Sequence, residues 1–292
     1  MTHAEIARSQ IRPITVLCTI LALIAFAANS ILCRVALRHA AIDTATFSAI
    51  RLSAGAATLL LLLASTQRRA GIATSLKGSW TSSAMLFLYA IPFSFAYNGL
   101  SAGTGALILF GSVQATMILG ALRSGERANA LQWFGLVLAV GGLVYLMLPG
   151  LASPPLHSAA LMAIAGVAWG FYSLRGRGAT NPLAQTSGNF ARSVPMALGV
   201  LLIVRPHATI DSRGVWLAVA SGALASGVGY VLWYAALRGL TSMRAAVVQL
   251  SVPILAAAGG VLFLAESITS RLVLAAGMIL GGIALALAAR SK

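Results

Sequence analysis

Acidic residues are almost missing from this chain. Glu5, Asp43, Glu126, Asp211 and Glu266 are the five among 292 residues, and charged residues of all types make up 9% against 59% hydrophobic. Soluble domains carry about 25% charged residues, so a water-soluble globule of this size is excluded. Metal-ligand and disulfide chemistry are equally thin. The four histidines (His3, His39, His157 and His207) are terminal or near loops, and the two cysteines, Cys18 and Cys33, fall inside one apolar run. They read as small packing residues. No H-E-x-x-H, Walker loop or buried acid pair is present. An intramembrane enzyme is therefore disfavoured, and no cofactor or metal is expected.

What the chain does have is apolar runs of about 20 residues, the length that crosses a ~30 Å hydrocarbon core as a helix. Ten are expected: 14–37, 44–65, 79–98, 102–122, 129–148, 157–174, 184–204, 214–237, 242–264 and 270–289. The connections are too short for a soluble domain. The N-terminal "MTHAEIARSQIRP" lacks a small-residue cleavage motif after it, against a cleaved signal peptide. The formal charge of +15 is explained by topology rather than by nucleic acid. With the N-terminus inside, twelve Lys/Arg fall inside: Arg8, Arg12, Arg68, Arg69, Lys77, Arg123, Arg127, Arg175, Arg177, Arg238, Arg290 and Lys292. Four fall outside: Arg38, Arg205, Arg213 and Arg271. That bias places both termini in the cytoplasm, the expectation for a bacterial inner-membrane protein.

The chain also says the same thing twice. "GERANALQWFGLVLAVGG" (125–142) and "AESITSRLVLAAGMILGG" (265–282) share a glutamate in second place and a terminal glycine pair, 140 residues apart. Phe26-Ala27 with Arg34 corresponds to Trp169-Gly170 with Arg177; Arg51 corresponds to Arg192; "YNGL" from Tyr97 corresponds to "YAAL" from Tyr234. Five spans match five spans, as units 1–148 and 149–292. Because five is odd, the second unit enters the membrane with the opposite orientation. The expected fold is an all-α membrane protein of ten transmembrane helices in two inverted five-helix repeats. Such repeats build carriers that expose one midplane site alternately to the two sides.

The stretch Tyr234–Leu287 resembles the drug/metabolite transporter superfamily, in particular its EamA-type ten-helix exporters. The resemblance is carried by Ala236-Leu237, Pro253, Glu266 thirteen residues later, the last-span glycines, Trp169 in "VAWGFYSL", and Arg51 and Arg192. It covers nearly the whole chain but departs in the first half, where Phe26 replaces the usual tryptophan and Val113 stands where proline is frequent. The resemblance implies export of a small-molecule substrate, with amino acids, aromatic ones included, a frequent class. A nucleotide sugar or drug-like metabolite, and a channel, remain the alternatives. Nothing sets an oligomeric state.

Candidate site residues follow from what membranes tolerate. Trp169 and Tyr172 lie well inside span six beside Gly170 and Ser173, away from the interface where Trp80, Trp133, Tyr145, Trp216 and Trp233 would form an aromatic belt. Tyr97 and Ser94 in span three follow. Asn29, Gln114, Gln249 and Ser251 are neutral polar groups needing partners inside hydrocarbon. Pro253 frees a carbonyl near the middle of span nine. Arg34 and Arg51, toward outer span ends, and Arg177 and Arg192, toward inner ones, are candidate gate or anchoring elements. Glu126 and Glu266 are expected to open the first turn of the helix after each. The glycine pairs and Gly277-x-x-x-Gly281 are expected to be packing contacts. No span contains Asp or Glu, which favours facilitated transport over proton antiport; sodium coupling through carbonyls stays open.

Overall fold

The computed structural model describes residues 12–38, 41–66, 77–123, 129–148, 153–176, 179–204, 210–240 and 242–288. Ten helical rods account for most of them: α1 Pro13–Arg38, α2 Thr44–Thr66, α3 Trp80–Ala96, α4 Ala102–Arg123, α5 Ala130–Met147, α6 Leu156–Gly176, α7 Pro182–Val204, α8 Ser212–Leu237, α9 Ser242–Leu264 and α10 Ser270–Ala288. They follow the expected spans within about two residues at each end. Local signals set several starts. Asp43 Oδ1 accepts from Thr46 N before α2, and Ser79 Oγ accepts from Ser82 N before α3. A reciprocal Asn129–Gln132 capping box opens α5, satisfying amides that a helix start leaves without partners. Away from the interior the rods are apolar and exposed, as at Leu61, Leu202 and Leu262. The protein is a multi-pass membrane protein.

Two rods are irregular. α9 is divided at Leu250 into Ser242–Gln249 and Ser251–Leu264. Pro253 has no N–H for the carbonyl four residues back, at Gln249, so the ladder opens there and Leu250 N bonds the Val247 carbonyl at 3.0 Å instead. The sequence placed the effect of Pro253 near mid-span, and the break lies one turn before it. In α8, Ser221–Val228 forms a π-helical stretch between Ser212–Ala220 and Gly229–Leu237. Its Gly222 lies against the backbone of Arg51, so close that a side chain would collide with it. The wider turn fits α8 against α2.

The packing obeys the doubling. Exchanging α1–α5 with α6–α10 maps α1/α8 onto α6/α3, α1/α9 onto α6/α4, and α2/α8 onto α7/α3, and all six pairs are packed. The pairs α2/α7, α4/α9 and α5/α10 map onto themselves and join the halves. The α5/α10 crossing is close because Gly135, Gly142 and Gly282 face it: a Cβ on Gly282 would stand 2.5 Å from the Gly135 carbonyl oxygen. Gly277 and Gly281 have nothing within 4 Å of such a Cβ. The expected Gly277-x-x-x-Gly281 contact is therefore not the one made, because that stripe faces away from α5. One glycine of each pair packs tightly, while Gly141 meets only the end of Met278 at 3.8 Å and Gly281 meets nothing within 4 Å, since adjacent helical residues point about 100° apart.

Candidate functional site

The bundle has a near end, where α1 begins, and a far end, where it finishes. Between them the repeat-equivalent Phe26 and Trp169 meet edge to face, with ring centres 5.8 Å apart. Residues related by the repeat can touch only near the pseudo-two-fold axis, so this contact marks the centre. A narrow cavity of about 10 Å³ lies there, room for one water-sized sphere. The first half contributes Phe26, Asn29, Tyr89, Phe93, Leu109 and Phe110, and the second Trp169, Ala225 and Tyr230. Trp169 stacks with Tyr89 at 5.3 Å and meets Phe110 edge-on at 5.3 Å. Phe26 also contacts Tyr230 and Trp233. Trp233 is only 8% exposed, so it belongs to this aromatic core and not to the interfacial belt. Trp80, Trp133 and Trp216 are exposed as expected.

Asn29 reaches the cavity from α1 and is held by the π-helical stretch. Its Oδ1 accepts from Ser221 Oγ at 2.5 Å and its Nδ2 donates to Ser226 Oγ at 3.3 Å. Two serines five apart meet one amide because the π turn brings them to one face. Gln114 is buried and donates across to Gln249 at 3.4 Å, joining α4 to α9 just before the break. Ser251 donates back to the Val248 carbonyl, and Ser94 to the Ala90 carbonyl, so both hydroxyls are spent within their own helices. Tyr172 accepts from Asn189 of α7. Tyr97 packs on Phe93, and its hydroxyl donates to the Ala102 carbonyl at 3.4 Å. Of the eight candidate binding residues, the structure brings Trp169 and Asn29 to the cavity wall; the others lie in neighbouring contacts. Pro253 is buried on the far-end side of the α9 break.

The arginines divide by environment. Arg34 sits at the far end and pairs with Glu266, Nε to Oε1 at 3.2 Å, while donating to the Tyr97 carbonyl at 2.8 Å. Arg38 donates to the Leu264 carbonyl beside it. Glu266 does not open the helix after it as expected. The left-handed Ala265 (φ 51°) turns the chain at the end of α9, Glu266 N bonds the Gly260 carbonyl, and the carboxylate swings onto α4, accepting from Ala102 N at 2.8 Å. One carboxylate thus joins α1, α9 and the positive N-terminus of α4. Arg51 lies about 10 Å along α2 from its far-end start, 2% exposed, and donates to Tyr89 Oη at 2.9 Å. Its repeat equivalent Arg192 is half-buried and donates to the Lys77 and Gly188 carbonyls. Arg177 and Glu126 lie outside the described residues.

Of the aromatic wall, Trp169 alone stood out in the sequence as a site residue, with Phe26 noted only as its repeat counterpart. A signal existed: Phe93 and Tyr230 are separated by 137 residues, the offset already seen for Tyr97 and Tyr234, and both line the cavity. Among the described residues no group of histidine, cysteine, aspartate and glutamate could hold a metal.

A membrane-embedded, internally doubled helical bundle with a small cavity on its pseudo-symmetry axis has the architecture of a transporter. The chain belongs to the EamA-like transporter family, whose model it matches twice, over residues 13–148 and 157–288. A protein of Pseudomonas aeruginosa described as uncharacterized is 50% identical over 276 residues, 94% of this chain and 95% of its own. An uncharacterized transporter of Bacillus subtilis, YoaV, is 23% identical over 248 residues, 81% of this chain and 85% of its own. A solved crystal structure superposes with a TM-score of 0.62 at 19% identity, covering 92% of this chain and 97% of the other; that likeness concerns the fold.

Proposed function

We propose that this transporter exports amino acids and related small metabolites, aromatic ones included, by alternating access, across a bacterial inner membrane with both termini cytoplasmic. The observation that carries the reading is the contact of Phe26 with Trp169 at the cavity. A site on the axis that relates two inverted units is the place each half can expose in turn. An aromatic wall with one amide suits cargo with a flat or apolar body and a polar end. The cavity holds about one water, so cargo entry requires the halves to part.

Both ends take part in this reading. Arg34, Glu266 and the start of α4 close the far end, with Arg51 and Arg192 anchoring α2 and α7 beneath the loops. The near-end piece of α9 packs mainly on α10 and on its own continuation, and the far-end piece packs on α4 and α1. Transport is facilitated, because all five acidic residues of the sequence lie outside the spans and a proton-coupled pathway ordinarily holds a titratable group.

Counterflow in proteoliposomes tests this: unlabelled amino acid inside, labelled amino acid outside, with and without a pH gradient. Accumulation independent of the gradient, and lost in a folded Trp169→Ala protein, is the expected outcome. No counterflow across an amino-acid panel would refute the substrate class, and dependence on the gradient would refute facilitated transport.

A further inference from the structure

Among the described residues, Arg51 is a guanidinium without a counter-ion. It is 2% exposed, and an arginine keeps its proton even when buried. Its Cζ stands 4.6 Å from the Phe93 ring centre and 5.3 Å from that of Tyr89, whose hydroxyl takes one Nη2 proton. These partners are neutral. Among the described residues no carboxylate comes within 4 Å of it, and its Nη1 is buried with no hydrogen-bond partner. A second buried polar atom without a partner, Tyr230 Oη, belongs to a residue of the cavity wall. Arg51 stands directly behind that same wall, because the two rings that cover it, Tyr89 and Phe93, both line the cavity.

Unpaired buried donors are destabilising, and a buried charge more so. An apolar residue in place of Arg51 would give up the Tyr89 hydrogen bond and the two ring contacts but would remove the larger burden of a buried, uncompensated charge. Two unspent donors from opposite halves beside one cavity therefore fit an acceptor that arrives with the cargo. The acceptor must be anionic to offset the guanidinium, and small enough for one arginine and one phenol. A carboxylate meets both requirements, with charge-assisted bonds to N–H and O–H.

We propose that Arg51 and Tyr230 hold the carboxylate of an organic monoanion whose apolar or aromatic body packs against Phe26, Phe110 and Trp169. Arg51 reaches it when Tyr89 gives up its hydrogen bond and its ring moves aside. The inference rests on the cavity proposed above as the transport site and specifies the charge of its cargo. An ammonium on the cargo is dispensable, since the spans contain no Asp or Glu to pair with it.

Calorimetric titration of the purified full chain in detergent tests this with three probes sharing a phenyl ring: L-phenylalanine, 3-phenylpropionate and phenethylamine. The two carboxylates are expected to bind at least about tenfold more tightly than the amine, the discrimination of one charge-assisted bond. Arg51→Gln should weaken both carboxylates by about tenfold to a hundredfold and leave the amine unchanged. Arg51→Lys should retain part of the preference, and Tyr230→Phe should weaken the carboxylates by about threefold to tenfold. If Arg51→Gln does not fold, the last two variants carry the test. Binding of 3-phenylpropionate without phenylalanine would keep the anion site and refute amino-acid cargo. Equal binding of phenylalanine and phenethylamine would keep amino-acid cargo and overturn the anion site. A carboxylate preference that survives in both Arg51→Gln and Tyr230→Phe, or wild-type protein that binds neither carboxylate, would also overturn it.

Discussion

Replacing Glu266 by glutamine should loosen the far end of the bundle selectively. The carboxylate serves two partners, Arg34 Nε at 3.2 Å and the Ala102 amide at 2.8 Å. The two side chains are 18% and 11% exposed, between the regimes of a screened surface pair and a dry interior one. Coulomb attraction at 3.2 Å in an effective dielectric of ~20 is roughly 5 kcal/mol. Desolvation opposes more than half of it, leaving a net of about 2 kcal/mol. Glutamine keeps the shape and one acceptor but removes the charge, so no cavity confuses the result. A loss of about 2 kcal/mol from the closed state raises the open population about 30-fold. The chain carries its own reporters: Cys33 is buried beside Arg34 at the far end, and Cys18 is buried toward the near end. Maleimide labelling of Cys33 should accelerate about 30-fold if labelling follows the open population, with Cys18 changed by less than about twofold. An unchanged Cys33 rate in a folded Glu266→Gln protein would refute the latch. Equal acceleration at both thiols would refute local opening and point to global loosening.

Two further substitutions test the packing. Gly282→Ala drives a Cβ into the Gly135 carbonyl oxygen and the Ala139 amide at 2.5 and 2.7 Å, so it should cost about 2 kcal/mol or more and lower the melting temperature in detergent. Gly281→Ala meets nothing within 4 Å and should be neutral or stabilising by up to about 1 kcal/mol; equal melting temperatures would contradict the assigned faces. Pro253→Ala returns an N–H to the Gln249 carbonyl and should straighten α9, raising the melting temperature and slowing counterflow. An unchanged counterflow rate would mean that the break at Leu250 plays no part in transport.

Ten spans and their doubling were legible because both are written in composition and offset, which need no side-chain geometry. Facing directions were harder to read. Apolar residues surround α5, so periodicity did not say that Gly142 meets α10 closely and Gly141 only in ordinary contact. The destination of Glu266 was hidden for another reason. Its sequence neighbours are α9 and α10, whereas its partners, Arg34 and Ala102, are 232 and 164 residues away. The π-helical stretch of α8 left only a pair of serines five apart, each followed by glycine, as a trace. Trp233 was assigned to the membrane interface from its distance to a span end, but Phe26 holds it in the core at 5.8 Å.

The doubling is imperfect in a way that bears on the alternating-access reading. Val113 of α4 stands 140 residues before Pro253, at the equivalent place. α4 runs unbroken from Ala102 to Arg123, and α9 divides at Leu250. Exchange of the two halves asks α4 to adopt what α9 has here, an open ladder one turn before Val113. Valine keeps the N–H that proline lacks, so opening α4 breaks a backbone hydrogen bond that α9 never forms. In hydrocarbon, where water cannot replace it, a bond left unmade costs several kcal/mol, and the rearranged state must recover that elsewhere. Arg51 and Arg192 differ in the same sense, one sealed behind aromatic rings and the other half-exposed on carbonyls. On the alternating-access reading proposed above, the two states are unequal in free energy when empty, the one with α4 unbroken being the lower. Cargo that replaces lost contacts in the other state would supply the difference, which ties the rate of exchange to occupancy of the site.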